Sequence, residues 1–526
     1  MTDTIAPPVA AARLVDGTAA PRGGTGNPPD ATDATGALDG PALGHRLAAT
    51  AHALHGLGIR TGDRVLVQGD NSIDYVVTLL ALMRLDTSLV PLDHRLSAAD
   101  AAAAARQARA RWLVTATDRT TGFPGIPDHR IVHYPHLAPV PPTASVSPSD
   151  SLSPSDSLSA SEALSASAPA PLAPGADPLD AWFRRPDALV LWSSGTTGRP
   201  KGIVKPGPAV LDNSLRTIRA MGYRADDVLA PLLPFSHQYG LSVILLWWLA
   251  RCTLLVTPYQ RLDAAVGQAA AHGATAVDAA PSTYHSLLGV VRRRPEVRAG
   301  LAGVRVWGVG GAPLPAPLAE SFRTTMGRPL LDGYGLTELG NVALATPDSP
   351  HGCGRPLPGI RLRVLRPDGT VAAPGELGGI EVRSPGLMAG YLREDGSLRP
   401  VDPDAWYPTA DLGSVDADGT VRVAGRNQAV HRLGFTLYPE SLERRAEACG
   451  RPVKVLAVED QRRGSALHFV VADPEGGAPL TWRRRLAEHL AEYEQPNAVH
   501  VVDHFPLTAN GKPDTRALRA QLGLGS

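Results

Sequence analysis

Apolar residues at Leu43, Leu47, Leu54 and Leu57 fall on one helical face, and Gly58 then ends the helix they predict. A strand over 64–68, a helix over 75–84, a strand over 88–92, an alanine-rich helix near 98–110 and a strand over 112–115 follow in turn. Such alternation of β and α units predicts a doubly wound α/β sheet. Later strands are expected at 188–192 and 304–309, then a strand-rich stretch with turns at Pro367-Asp368-Gly369 and Asp416-Ala417-Asp418-Gly419. The last hundred residues read as a small α+β domain, with strands near 453–458, 466–471 and 498–502 and a helix over 481–494. Residues 1–38 show weak periodicity and are expected to be irregular; a large domain spans 39–426 and a small one 427–526.

Composition alters this picture at one place. Over 136–178 the chain becomes Pro/Ser/Ala-rich, with Ser-Pro-Ser-Asp-Ser-Leu at 147–152 repeated at 153–158. Such a tract buries too little apolar surface to offset its ordering entropy, so it reads as a disordered insertion within the large domain. Lys plus Arg and Asp plus Glu balance at 51 each, which argues against a nucleic-acid or anionic-membrane partner. Three widely spaced cysteines suit a reducing cytoplasm and make neither a disulfide framework nor a zinc site. The most apolar stretch, 241–250, is too short to span a bilayer, and no targeting segment is apparent, so a cytoplasmic location is expected.

The candidate chemistry begins after the apolar run 188–192. Ser193, Ser194, Gly195, Thr196, Thr197, Gly198, Arg199, Pro200, Lys201 and Gly202 form a loop whose glycines free backbone N–H groups to face an anion. Its hydroxyls and Lys201 add donors and a charge. The spacing does not match the Walker loop. By composition alone an ordinary Ser/Gly surface loop fits as well. The ordered string, however, closely resembles the signature of the adenylate-forming (AMP-binding) superfamily: acyl- and aryl-CoA synthetases, luciferases and peptide-synthetase adenylation domains. Further likenesses follow in family order: 80–93, Pro234 to Leu241, Gly310-Gly311-Ala312-Pro313, Asp332-Gly333-Tyr334-Gly335-Leu336-Thr337-Glu338, Tyr407 to Asp411, Arg426, and Pro506 to Pro513. Together they cover about residues 40–526 outside the Ser/Pro tract.

The resemblance implies a role for each matched residue. The loop residues, Gly311, Ala312, Pro313, Asp332, Gly333, Tyr334, Gly335, Asp411 and Arg426 are expected at the nucleotide: Tyr334 on adenine, Asp411 accepting the ribose hydroxyls, Arg426 at ribose or phosphate. Thr337 is expected at the α-phosphate, Glu338 at Mg²⁺, and Lys512 at the α-phosphate and substrate carboxylate. His237 corresponds to a side chain beside the acid's carboxylate, a satisfied histidine at an element end being the plain alternative. Gln238, Tyr239, Ser282, Trp307, Gly310 and Asn341 align with the substrate wall. Peptide-synthetase domains for α-amino acids carry Asp where Gln238 stands, so a free α-amino acid is not expected.

Two departures from the family pattern stand out. Ala410 replaces a usual glycine; the stretch after Arg426 is one residue short, with Asn427 or Gln428 at the hinge and His431 in place of a lysine. The resemblance implies ATP, Mg²⁺ and coenzyme A as reactants for a compact acyl or aryl acid, with a small domain that rotates between two half-reactions. The alternatives are adenylation with another acceptor (a separate carrier protein, an amine, or nitrite activation for an arylamine, as in diazotases) and a catalytically dead nucleotide-binding module.

Overall fold

Strands form where the apolar runs predict them, and the parallel ones gather into two large sheets. The computed structural model describes residues 12–17, 37–96, 98–116, 123, 125–134, 177–193, 201–426, 430–432, 435–437, 439–460, 464–490, 494–508 and 512–524. In the first sheet Arg64–Gln68, Ser88–Leu92, Trp112–Thr115, Ile131–His133 and Leu189–Ser193 run parallel, and Lys201–Lys205 returns antiparallel beside Leu189–Ser193. In the second, Arg13–Asp16, Thr253–Val256, Val228–Pro231, Ala276–Ala279, Val306–Val309 and Leu331–Leu336 run parallel in that spatial order.

The helices Gly40–Gly56, Ile73–Arg84 and Gln238–Ala250 fill the space between the sheets. One core cluster joins Leu43 and Leu47, Val65 and Leu191 of one sheet, and Leu14, Leu229 and Val306 of the other. Facing apolar surface on both sides explains why Gln238–Ala250 is buried almost all round instead of along a stripe. Outer helices Leu262–Ala271, Pro281–Arg293 and Ala316–Met326 cover the second sheet's far face, and Ala98–Ala108 covers the first's. A four-stranded antiparallel sheet, Arg361–Leu365, Gly378–Arg383, Tyr407–Val415 and Val421–Arg426, follows in the chain. Beyond it, Val453–Asp460, Gly464–Ala472 and Ala498–Val502 form a three-stranded sheet with its own core, including Leu442, Phe469 and Trp482.

Three expectations change. The N-terminal stretch is not wholly irregular: Arg13–Asp16 joins the second sheet with Leu14 and Val15 buried on opposite faces, a strand too short for alternation to reveal. Leu57 is 50% exposed because the helix ends at Gly56 and Leu57 serves as its C-cap. The helix expected over 481–494 runs Pro479–Ala487, and Gln495 Nε2 donates to Ala487 O (3.3 Å) and Leu490 O (2.8 Å), satisfying carbonyls at its end. The Ser/Pro tract lies outside the described residues up to Asp177, which is buried in an ion pair with Arg251.

Candidate active site

Strand pairing places the ends of the Ser/Gly/Thr loop. Ser193 pairs with Lys201 across an antiparallel register, so the strand ends that flank the loop lie side by side; Ser194, Gly195, Thr196, Thr197 and Gly198 themselves lie outside the described residues. Lys201 Nζ sits 5.5 Å over the Tyr391 ring. Tyr391 Oη donates to Glu338 Oε1 at 2.9 Å and is 2.6 Å from Tyr407 Oη, which therefore donates to it. Burial, with Tyr407 and Glu338 beside it, pushes the Tyr391 hydroxyl far up, keeping it a proton donor to the carboxylate. The loop's end and the Glu338 turn thus meet through one tyrosine.

Lys205, four residues after Lys201, is a lysine the sequence reading passed over. It is fully buried, and Nζ donates to Gly386 O at 2.5 Å and to Glu338 O at 3.0 Å, tying down the turn that carries Thr337 and Glu338. Burial pulls its ammonium down to about 7, against the opposing pull of the Glu338 charge. A folded pKa below the unfolded one penalises the fold while the ammonium persists, fully below about pH 7, and the penalty fades as pH rises toward 10.5. Between pH 7.5 and 9.5 the wild type should therefore gain stability on a Lys205→Met variant by up to about 1.4 kcal/mol per pH unit in urea denaturation. Parallel pH profiles for the two proteins would contradict this.

The strand Leu331–Leu336 carries Asp332, Gly333, Tyr334 and Gly335, with a register shift between Tyr334 and Gly335 against Gly340–Leu344. Tyr334 Oη donates to Asp411 Oδ2 at 2.7 Å, both residues buried, which joins this strand to the four-stranded sheet. Asp411 N in turn donates to Thr409 Oγ1 (3.1 Å), and the register sets Arg426 opposite Asp411. Burial raises the Asp332 carboxyl to about 7, opposed by the hydrogen bond from Cys353 Sγ (3.4 Å) and by the Arg444 charge. Gly311, at φ 83°, turns the chain after Val306–Val309 and leads into Ala312 and Pro313.

Ala410 explains the family's usual glycine. Its φ is 59°, a left-handed conformation that costs a residue with a Cβ about 1 kcal/mol or more. Ala410→Gly relieves that strain while adding freedom to the unfolded chain, so a net gain of up to about 1 kcal/mol is expected in denaturant unfolding. A loss of stability would show that the methyl packs more favourably than the strain costs.

The acid-side residues separate into two groups. His237 caps the start of Gln238–Ala250 with Nε2 3.4 Å from Asp93 Oδ2. Burial would raise the Asp93 carboxyl, but His237 and Arg95 outweigh it and hold the group far below the usual carboxylate range. Arg95 binds both of its oxygens, donating from Nη2 to Oδ2 at 2.7 Å and from Nε to Oδ1 at 3.0 Å. Tyr239 Oη donates to Asp278 Oδ1 at 2.9 Å, and the ring lies against Gly310, where a Cβ would stand 3.2 Å from Tyr239 Cε1. Tyr239 and Gly310 thus adjoin each other, and Gln238 and Tyr239 follow His237 in the first turn of the helix it caps. Trp307 does not join them: its side chain points to the other face of the sheet, stacked edge-on with Tyr284 and Phe322 beside a cleft of about 410 Å³ that also includes Met326. Ser282 is exposed in the first turn of Pro281–Arg293. Asn341 is bound back to the helix Gly207–Met221, donating from Nδ2 to Thr217 Oγ1 at 3.0 Å and from N to Asn213 Oδ1 at 3.0 Å.

Lys512 lies in a closed turn of the small domain, where Thr508 N donates to Lys512 O at 2.7 Å and Lys512 N to Thr508 Oγ1 at 3.3 Å. The small domain meets the large one where Arg444 Nη2 donates to Val423 O (2.6 Å) and Ala424 O (2.9 Å). His431 sits in the hairpin formed by Val430–Arg432 and Phe435–Leu437, while the hinge candidates Asn427 and Gln428 fall outside the described residues.

Asp93, Lys205, Asp278, Tyr391 and Tyr407 are the participants that sequence reading assigned no role. A charged residue inside the apolar run Ala276–Ala279 was the one available signal for Asp278.

Two largely parallel sheets, a four-stranded antiparallel sheet and a separate three-stranded sheet with its own core define an α/β protein with a large and a small domain. The chain belongs to the AMP-binding enzyme family, whose model matches residues 35–392. It is 30% identical over 514 residues to the salicyl-AMP ligase / salicyl-S-ArCP synthetase of Mycobacterium tuberculosis (93% of this chain, 86% of that protein). It is 27% identical to the feruloyl-CoA synthase of an Amycolatopsis species, covering 91% of this chain and 93% of the other. Among solved structures, ATP-bound MatB from Rhodopseudomonas palustris superposes with a TM-score of 0.76 at 25% identity, covering 93% of this chain and 95% of that one.

Proposed function

We propose that this enzyme activates a compact acyl or aryl acid with ATP and Mg²⁺, forming an acyl adenylate and pyrophosphate, and then passes the acyl group to coenzyme A. One observation supports the reading: Tyr391 links Lys201, at the end of the candidate phosphate loop, to Glu338, which follows the strand carrying Tyr334. The feruloyl-CoA synthase relative supports the choice of reaction.

In the first half-reaction a carboxylate oxygen attacks the α-phosphorus, the bond to the β-phosphate breaks, and pyrophosphate leaves. Both reactants are anionic, so preorganised positive charge and N–H donors must meet the charge as it moves. Lys512 and Lys201 supply charge, and the loop's backbone supplies donors. Among the described residues no three acidic, histidine or cysteine side chains gather as a metal cage. A single carboxylate at Glu338 beside ATP's own phosphates is the donor set Mg²⁺ takes, and the ion would neutralise phosphate charge there. His237, whose Nε2 lies 3.4 Å from Asp93 Oδ2, would donate to the substrate carboxylate through its other ring nitrogen. In the second half-reaction the thiol sulfur bonds to the acyl carbon, the acyl–phosphate bond breaks, and AMP departs while the thiol proton is lost.

A second acceptor deserves a direct test. The salicyl-AMP ligase relative is also named for transfer to a carrier protein, and the shortened stretch around His431 lacks the lysine charge that would attract coenzyme A phosphates. ATP–pyrophosphate exchange over aryl, acyl and inorganic acids tests activation. Preformed adenylate is then mixed with coenzyme A, a carrier protein or an arylamine, and AMP release is followed. Fast thioester formation at micromolar coenzyme A supports the first reading; slow formation with rapid release to a carrier or amine supports the second.

A further inference from the structure

Asp278 is an expensive residue to place where it stands. It lies on a central parallel strand, opposite Pro231 on one side and Gly308 on the other, and is only 6% exposed. Its neighbours along the strand are Val277 and Ala279. Oδ1 accepts from Tyr239 Oη, but Oδ2 has no hydrogen-bond partner among the described residues. Burial raises the carboxyl to about 6, only partly relieved by Tyr239, so near neutral pH the group is still largely ionised. A buried carboxylate with an unmet oxygen is disfavoured unless something else completes it.

The surroundings make room for the group. A Cβ on Gly308 would stand 2.3 Å from Asp278 Oδ1 and 3.3 Å from Tyr239 Oη. Two residues on, a Cβ at Gly310 would stand 3.2 Å from the Tyr239 ring and 3.5 Å from Gly333 O, which links the cluster to the strand carrying Tyr334. The carboxylate therefore sits beneath Tyr239 at the carboxyl ends of the strands, where open α/β sheets receive ligands. Tyr239 follows His237 by two positions, so one helix end presents both the carboxylate-side histidine and the tyrosine covering Asp278.

We infer that the acid activated here carries a hydrogen-bond donor, an amino or hydroxyl group, at the end remote from its carboxylate, and that Asp278 accepts from it. The inference rests on the adenylation reading above. An acid ending in a methyl or ether oxygen would leave Oδ2 unmet, and a site built around a polar partner rejects analogues lacking it far more strongly than an apolar pocket does. The Tyr239 ring over Gly310 limits such an acid to a compact or flat shape.

The test is pyrophosphate exchange with benzoate and its meta- and para-amino, hydroxy and methoxy derivatives, on the wild type and Asp278→Asn. The wild type should favour the best amino or hydroxy acid over its methoxy counterpart by at least about tenfold in kcat/KM. Asp278→Asn, nearly isosteric, should reduce that preference at least about tenfold and change exchange with benzoate much less. Exchange without donor preference in the wild type, or an equal loss for every acid in the variant, overturns the inference and leaves adenylation standing. Exchange with none of these or of the wider acyl and inorganic acids overturns both. Should the variant fail to fold, the wild-type comparison of amino, hydroxy and methoxy acids still decides.

Discussion

Lys512→Ala is expected to lower adenylate formation by at least about a hundredfold, because a preorganised charge at the reacting phosphate is worth several kcal/mol of transition-state stabilisation. The same substitution should leave the reaction of preformed adenylate with its acceptor much less affected. The lysine sits in the small domain, whose described bridge to the large one includes Arg444 on the Val423 and Ala424 carbonyls, a hydrogen-bonded contact that a rotation can exchange. Measuring pyrophosphate exchange and single-turnover acyl transfer separately checks this. Equal losses in both steps would contradict a cycle in which the lysine serves only the first.

Asp411→Ala should raise the KM for ATP by at least about fiftyfold. An ionised carboxylate accepting two ribose hydroxyls makes charge-assisted bonds worth about 1.5–3 kcal/mol each, and alanine makes none. The substitution also strips the buried Tyr334 hydroxyl of its acceptor at 2.7 Å, so unfolding free energy should fall by about 1–3 kcal/mol. Adding Tyr334→Phe should recover part of that stability without restoring ATP affinity. The two readouts separate the nucleotide role of Asp411 from its structural one; a double variant no more stable than Asp411→Ala would refute the shared hydrogen bond.

Much of the candidate site was legible because its chemistry is local. The loop was legible as an ordered string of glycines and hydroxyls matching a family signature, and Asp332 to Glu338 occupies consecutive positions of one strand and turn. The strands Arg64–Gln68, Ser88–Leu92 and Trp112–Thr115 were equally plain, each an apolar run bounded by breakers. Ala410 was visible as a departure, but its cost is a backbone angle that no residue string displays. Lys205 reads as one more lysine after a Lys-Gly motif; its burial is known only once the Gly386 and Glu338 carbonyls are seen around it.

By itself the sequence determined the order of elements and the division into a large and a small domain, which depend on residue type and on periodicity within a few positions. The candidate phosphate loop and the Tyr334, Glu338, Asp411 and Lys512 candidates came instead from the ordered string of motifs and its resemblance to a family. Which side of a buried parallel strand each residue takes was decided only by tertiary structure. Parallel strands covered on both faces are apolar throughout and lack the alternation that would reveal a face, so Trp307 aligns with the substrate wall yet packs against Tyr284 and Phe322. For the same reason Asp278, one strand away, appeared as a polar interruption until the fold set it under Tyr239 and opposite Gly308.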